Sequence, residues 1–222
     1  RDKLVRTVLQ ETAVPAYSIT PPDTLGYYPP KLFDYDPEQA RALLAEAGYP
    51  NGEGWPGIEI LYNTQEAHRK IAVAIQQMWK SELGIDVTIS NQEWKVYLDA
   101  VSQIDFQVAR RGWIGDYVDA NNFLDMFITG GGNNNTHFAD PVYDDLILYK
   151  APKAATREER YALFTEAETM LMEQMPIIPL YTYTSKHLIH PSAEGIYANL
   201  MDSLNLKYVK LIPGRSLPEE LR

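Results

Sequence analysis

The feature that most restricts how this chain can fold is a strand, a helix and a second strand packed into roughly thirty residues. Ile58-Glu59-Ile60-Leu61-Tyr62 has the β-branched and aromatic content of a strand and stops at Asn63. Ala67, Ile71, Ala74, Ile75, Met78 and Trp79 then recur at helical spacing, and Gly84 closes that stripe. Ile85-Asp86-Val87-Thr88-Ile89 alternates apolar and polar residues, as a second strand does. Strands joined by a helix in this way are normally parallel, with a right-handed crossover.

The flanking sequence extends the same alternation. Asp36-Pro37-Glu38-Gln39 predicts a helix start, with Asp36 as N-cap, Pro37 in the first turn and Gln39 placed for a capping box. Leu43, Leu44 and Ala47 supply its apolar stripe before Gly48. A helix over Glu93–Ser102 and a strand over Phe106–Arg110 follow. Asp140-Pro141 opens another helix. Thr156-Arg157-Glu158-Glu159 is a second capping box, ahead of a stripe of Leu163, Phe164, Ala167, Met170 and Leu171 that ends before Pro176. Ile177–Tyr183 reads as a buried strand. The pattern is that of one α/β lobe, with no linker to split it. Residues 1–35 form an extended, proline-rich N-terminal segment (Pro15, Pro21, Pro22, Pro29, Pro30) with a short helix over Asp2–Leu9. From about 185 to 222 the pattern weakens into a returning C-terminal segment, and Leu217–Arg222 reads as a charged tail.

Composition removes several function classes. The formal charge of −10 repels phosphate backbones, so nucleic acid is not an expected partner. No apolar run approaches the ~20 residues of a membrane helix. The chain starts at Arg1 rather than Met, which the sequence leaves open as a removed leader or a piece of a longer protein. With no cysteine there is no disulfide, thiolate metal site or cysteine nucleophile. His68, His137, His187 and His190 form no metal-ligand motif beyond the weak pair His187 and His190, and no serine-nucleophile elbow occurs, so neither a metal nor another cofactor is expected. Gly130-Gly131-Gly132-Asn133-Asn134-Asn135 lacks the lysine of a phosphate-binding loop and reads as a flexible or ligand-facing loop. Fifteen Tyr, 4 Trp and 6 Phe favour side chains that join an apolar face to a polar handle, which suits a binding surface or a core boundary.

The richest local cluster is Arg110-Arg111-Gly112-Trp113-Ile114-Gly115-Asp116-Tyr117-Val118-Asp119, directly after a predicted strand. Ligands of open α/β sheets sit beyond the C-terminal ends of strands, so this cluster is well placed to touch one. Gly112 and Gly115 admit a close backbone, Trp113 offers a flat apolar surface and Asp116 a charge. The same residues also fit a purely structural loop, with Asp116 capping a helix and Trp113 filling the core. A third reading, Asp116 and Asp119 as the carboxylate pair of a glycoside hydrolase, has only their spacing behind it.

The sequence resembles the dipeptide- and oligopeptide-binding proteins of ABC importers, the family 5 extracytoplasmic solute receptors. The resemblance runs through Pro15–Pro22, Ala42–Tyr49, Leu61–Thr64, Asn91–Lys95 and Tyr97–Asp99, and is densest at Val108–Trp113 with Gly115-Asp116-Tyr117. It implies the C-terminal lobe of a type II periplasmic-binding-protein-like receptor, whose two α/β lobes close over ligand, with the N-terminal lobe absent from this chain. It further implies a periplasmic or cell-surface-anchored binding protein, without catalysis, that carries peptide ligands to the permease subunits of an ABC transporter. Carried over by position, Asp116 pairs with the peptide's α-amino group, Gly112 and Ile114 pair with its main chain as an added strand, and Trp113 walls a side-chain pocket. Asn133 and Tyr183 fall where the family places polar ligand contacts. Arg110 and His68 fall where some members receive the ligand's carboxylate, but the arginine found nine residues earlier in such members is Val101 here. Family relatives also take up nickel complexes, oligosaccharides or opines, so another solute is the same-fold alternative. A single lobe holds half a cleft and is expected to bind peptide weakly or not at all by itself.

Overall fold

The computed structural model describes residues 1–197, 199 and 201–215; the charged tail read at Leu217–Arg222 lies outside them. The elements, in chain order, are α1 (Asp2–Thr7), β1 (Ala13–Pro15), α2 (Pro37–Glu46), β2 (Ile58–Asn63), α3 (Glu66–Leu83), β3 (Val87–Gln92), α4 (Trp94–Ser102), β4 (Val108–Ala109), α5 (Asn121–Leu124), α6 (Pro141–Asp145), α7 (Arg157–Gln174), β5 (Tyr181–Tyr183), β6 (Ala193–Glu194) and β7 (Lys210–Leu211).

The crossover expected from the sequence is the frame of the site. β2 is the central strand of a parallel sheet ordered β3-β2-β4, with Ile58 opposite Val87 and Ile60 opposite Val108. Because successive side chains of a strand point to opposite faces, Ile60 and Leu61 anchor two different packing layers. Ile60 joins Ile85, Val87, Leu44 and Trp79 on one face. Leu61 joins Tyr97 and Val101 of α4 on the other. β3 starts at Val87, two residues later than expected. Ile85 is still buried, but Asp86 turns outward to pair with Lys80 at 2.7 Å. Gly84 ends α3 with φ +73, and a Cβ there would lie 2.2 Å from the Asn51 carbonyl oxygen, so both the conformation and the space require glycine.

The helix starts follow the sequence reading. Asp36 accepts from the Gln39 amide, Asp140 from those of Val142 and Tyr143, and Thr156 from that of Glu159. The stripe of α2 is only partly used: Leu44 packs inward, whereas Leu43 is 57% exposed. The buried strand expected over Ile177–Tyr183 is instead the short β5, paired antiparallel with β1 on one side only. Its residues, Tyr181, Thr182 and Tyr183, carry hydroxyl groups that keep it at a half-wet surface, while the apolar Ile177 packs into the neighbouring helical core. β6 and β7 form a separate antiparallel pair in the returning segment.

That helical core gathers Leu124, Phe127, Tyr143 and Leu146 around Phe164, Ala167 and Leu171 of α7. One charged residue lies among them. Glu168 has no exposed surface, accepts the Thr20 amide at 2.9 Å and the Tyr27 hydroxyl at 2.9 Å, and so ties the proline-rich segment down onto α7. Burial raises its carboxyl to about 7, opposed only in part by those two donors. A folded pKa above the ordinary value of 4.5 means that the folded state holds the proton longer. The group's favourable contribution is therefore complete below about pH 4.5 and disappears as pH rises through about 7. Relative to Glu168→Gln, the wild-type protein should lose on the order of 3 kcal/mol of stability between pH 5 and pH 8, read from denaturant midpoints. Parallel pH profiles for the two proteins would refute this assignment.

Candidate functional site

The segment from Arg110 to Asp119 leaves the parallel sheet at the C-terminal end of β4, and its first residue is still part of the ladder. The Arg110 amide donates to the Leu61 carbonyl at 2.8 Å, and the Arg110 carbonyl accepts from the Tyr97 hydroxyl on α4. Further along, one buried side chain fixes the loop. Asn122 Oδ1 accepts both the Trp113 indole N–H at 2.9 Å and the Asp116 amide at 3.1 Å. Gly115 lies between these two bonds, and a Cβ there would stand 3.1 Å from the Phe123 ring. The close neighbour at Gly115 is thus a side chain of α5 in this chain, not the second backbone expected from the glycine.

This geometry separates the alternatives left by the sequence. The helix-capping aspartate is Asp119, not Asp116: Asp119 accepts the Asn121 amide at 2.9 Å and forms a two-point ion pair with Arg160 of α7, at 2.6 and 3.0 Å. Asp116 is exposed, and among the described residues no hydrogen bond or ion pair engages its carboxylate. Trp113 packs half-buried against the helical core, the structural role open to it, and its indole N–H is tied to Asn122. Gly112 and Ile114 are exposed, Ile114 at 79%. A Cβ on Gly112 would meet the Tyr183 hydroxyl at 2.5 Å, so glycine lets that tyrosine lie across the loop.

Tyr183 leads to a second group of residues. An open cavity of about 480 Å³ is lined by His68, Trp94, Arg110, Tyr181, Tyr183 and Lys186, among others. The Arg110 guanidinium donates to the Tyr183 hydroxyl and, at 3.4 Å, to that of Tyr181. His68 lies in the first turn of α3 with Nδ1 3.4 Å from the Asn63 carbonyl. Burial, and then the Arg110 charge, hold its imidazole below the usual value, so it is neutral at pH 7. Two cations, hydroxyl groups and an imidazole on a half-apolar wall suit an anionic end group. Val101 cannot contribute: it is buried against Leu61 and Tyr97, and Lys186, from the end of β5, supplies the second cation of this cavity. The sequence reading missed Lys186, Tyr181 and Trp94. Trp94 stands in the Asn91–Lys95 motif and stacks on Tyr97 with ring centroids 5.8 Å apart, whereas no local pattern marks Lys186.

Asn133 does not join this group. It lines a separate cavity together with Asn121 and Asp125. The loop that carries it is fastened rather than loose, because Asn134 Nδ2 donates to the carbonyls of Phe127, Ile128 and Phe138 at 2.8–3.1 Å. Asp125 accepts from Asn121 Nδ2 at 3.1 Å, and burial, aided by the charges of Asp116 and Asp119, holds its carboxyl above the ordinary range. His187 and His190 serve different partners, Asp202 and Ser192. Among the described residues no group of three or more His, Asp or Glu is placed to hold a metal ion, and no helix is long and apolar enough to cross a membrane.

The sequence pattern of the bacterial extracellular solute-binding proteins, family 5 (middle region), matches residues 1–135. The periplasmic oligopeptide-binding protein OppA of Salmonella typhimurium is 37% identical over 216 residues, covering 95% of this chain and 39% of the relative. The structure of the Escherichia coli murein tripeptide binding protein MppA superposes with a TM-score of 0.84 at 37% identity, over 95% of this chain and 42% of that one. Haemophilus influenzae OppA in complex with RPPGFSPFR gives a TM-score of 0.81 at 32% identity, over 95% and 43%. The chain thus spans about two fifths of the length of the relatives it matches, with the α/β fold of the type II periplasmic binding proteins. It belongs to the bacterial extracellular solute-binding proteins, family 5.

Proposed function

We propose that this chain forms the C-terminal wall of an extracytoplasmic peptide-binding cleft and that its receptor hands the peptide to an ABC permease without chemical change. The observation that carries this reading is the contrast at Asp116. Its backbone is fixed by Asn122, while its carboxylate faces solvent with no partner among the described residues. A preorganised, unpaired carboxylate suits the α-ammonium of a peptide, and an ammonium held there gains a charge-assisted hydrogen bond. The exposed backbone at Gly112 and Ile114 is free to pair with a peptide main chain, which gives affinity without reading side chains. The Arg110, Lys186 and His68 cavity suits the carboxylate end. The opposing wall comes from a second lobe, as the two-fifths coverage of the relatives suggests. The names of those relatives, an oligopeptide-binding and a murein tripeptide binding protein, support a peptide as the solute.

In a receptor with both lobes, Asp116→Ala should weaken a free-amine tripeptide by ten- to a hundredfold, the range expected for losing a hydrogen bond to a charged group. Acetylating the peptide's amine should weaken binding to the wild type by a similar factor and add little to the variant. Calorimetric titrations of the four pairings check this, and additive losses would exclude Asp116 as the anchor. The 222-residue chain by itself should bind the same peptide only weakly, and a micromolar Kd for it would overturn the half-cleft reading.

Asn122→Ala removes the acceptor for both the Trp113 indole and the Asp116 amide. It should cost about 1–3 kcal/mol of stability through those unpaired donors. It should also weaken free-amine peptides, although Asn122 itself is buried. Thermal melting together with calorimetry measures both effects, and unchanged affinity in a folded Asn122→Ala protein would show that the loop holds its shape without this amide.

A further inference from the structure

Arg110 is held in place without being neutralised. Its amide and carbonyl are fixed by Leu61 and Tyr97, so the side chain starts from a settled point. At the far end of that side chain Nη2 donates to the hydroxyl groups of Tyr183 and, at 3.4 Å, Tyr181. Nε and Nη1 have no hydrogen-bond partner among the described residues, and no acidic residue lines the cavity that Arg110 shares with the two tyrosines. Tyr181 and Tyr183 stand two apart on β5 and therefore on one face of the strand. Their rings meet edge to face with centroids 5.5 Å apart, so each steadies the other. The Tyr183 hydroxyl also lies against Gly112. A Cβ on Gly112 would stand 2.5 Å from that oxygen, and 3.1 and 3.2 Å from two ring carbons. Gly112 has no positive φ, so it is the space taken by the tyrosine, and not the backbone conformation, that calls for glycine here.

We propose that Tyr183, supported by Tyr181, is a positioning residue that orients the Arg110 guanidinium and leaves Nε and Nη1 for a ligand carboxylate, and that Gly112 is glycine to make room for it. The inference rests on the peptide reading above, and it assigns Tyr183 a role through Arg110 rather than a direct contact with the ligand. An arginine side chain has many rotamers, and one fixed before the ligand arrives removes that ordering cost from the binding step. An acidic neighbour would hold the guanidinium more firmly but would cancel the charge that a ligand carboxylate needs. Phenol hydroxyl groups orient it and leave its charge in place. Two free donors on one guanidinium suit two-point capture of a carboxylate. A C-terminal amide is neutral and gains less from the same donors. The orientation set by Tyr183 therefore shows in the preference for a peptide acid over its amide.

Calorimetry on the two-lobed receptor with Ala-Ala-Ala and its C-terminal amide tests this. The wild type should prefer the acid, and Tyr183→Phe should shrink that preference roughly three- to tenfold, the factor for one rotamer-rich side chain left loose. Tyr183 is 48% exposed, so loss of its hydroxyl should leave the fold intact. Gly112→Ala should shrink the preference as well, because the added methyl pushes the hydroxyl aside. In an Arg110→Ala protein, adding Tyr183→Phe should change the affinity for the acid by less than about twofold. A full acid preference in the Tyr183→Phe protein overturns the inference. So does a loss from Tyr183→Phe that is as large without Arg110 as with it, since the hydroxyl then touches the ligand itself. A preference unchanged by Gly112→Ala overturns the part assigned to that glycine. Equal binding of acid and amide by the wild type, with N-acetylation still weakening both, overturns the inference together with the carboxylate assignment of Arg110. All of these results leave the Asp116 anchor standing. Failure of both peptides to bind, or binding that ignores N-acetylation, overturns the peptide reading itself and this inference with it.

Discussion

The carboxyl group of Glu168 is the buried polar anchor on which the helical half of the lobe depends. It lies where α7 meets the proline-rich segment, and both its oxygens accept, one from the Thr20 amide and one from the Tyr27 hydroxyl. Prolines around these positions remove amides that could otherwise pair in a sheet, so the segment needs another acceptor to fix its course. A leucine at 168 would pack among the same neighbours but leave a buried amide and a buried hydroxyl unpaired. α7 then does a second task at its other end. Arg160 holds Asp119, which caps the short α5, and α5 carries Asn122. The loop bearing Asp116 is therefore positioned by the helix that Glu168 anchors.

This arrangement separates the bonds that hold the loop from the carboxylate proposed as the amine anchor. The loop around Asp116 is fixed by the bonds of the Trp113 indole and the Asp116 amide to Asn122 and by the hold of the Asn121 amide and Arg160 on Asp119, and the Asp116 carboxylate takes no part. A binding charge gains most when its position is settled before the ligand arrives and its own valence is unspent. Had Asp116 been the helix cap, as its neighbourhood in the sequence equally allowed, its charge would already be satisfied by backbone amides.

How much of this was legible in the sequence differs by the range of the interactions. The crossover from Ile58 to Ile89 could be read because period-2 and period-3.6 patterns are local, and each cap at Asp36, Asp140 and Thr156 is written within four residues. The lobe class and the cluster at Arg110–Asp119 followed from the same local signals together with a family resemblance. Long-range pairings carry no such mark. Asn122, Glu168 and Lys186 are single polar residues whose partners lie in distant or loop segments, and Glu168 sits inside an apolar stripe where a solvent-facing position is the ordinary expectation. β5 departs from expectation for a related reason. Its apolar and aromatic content points to burial, but tyrosine serves equally at a half-wet edge, where its hydroxyl can meet Arg110.

The charges of the lobe also give the proposed cleft a direction. In sequence Arg110 precedes and Asp116 and Asp125 follow the exposed Gly112 and Ile114, and Lys186 lines the same cavity as Arg110. A zwitterionic peptide laid along that backbone has one favourable orientation, and reversal would set like charges together at both ends. Main-chain pairing alone is nearly indifferent to side chains and tolerates both parallel and antiparallel strands. In the proposed cleft it is thus the end charges that would set the peptide's direction, and the net charge of −10 adds a field that favours approach of the ammonium end.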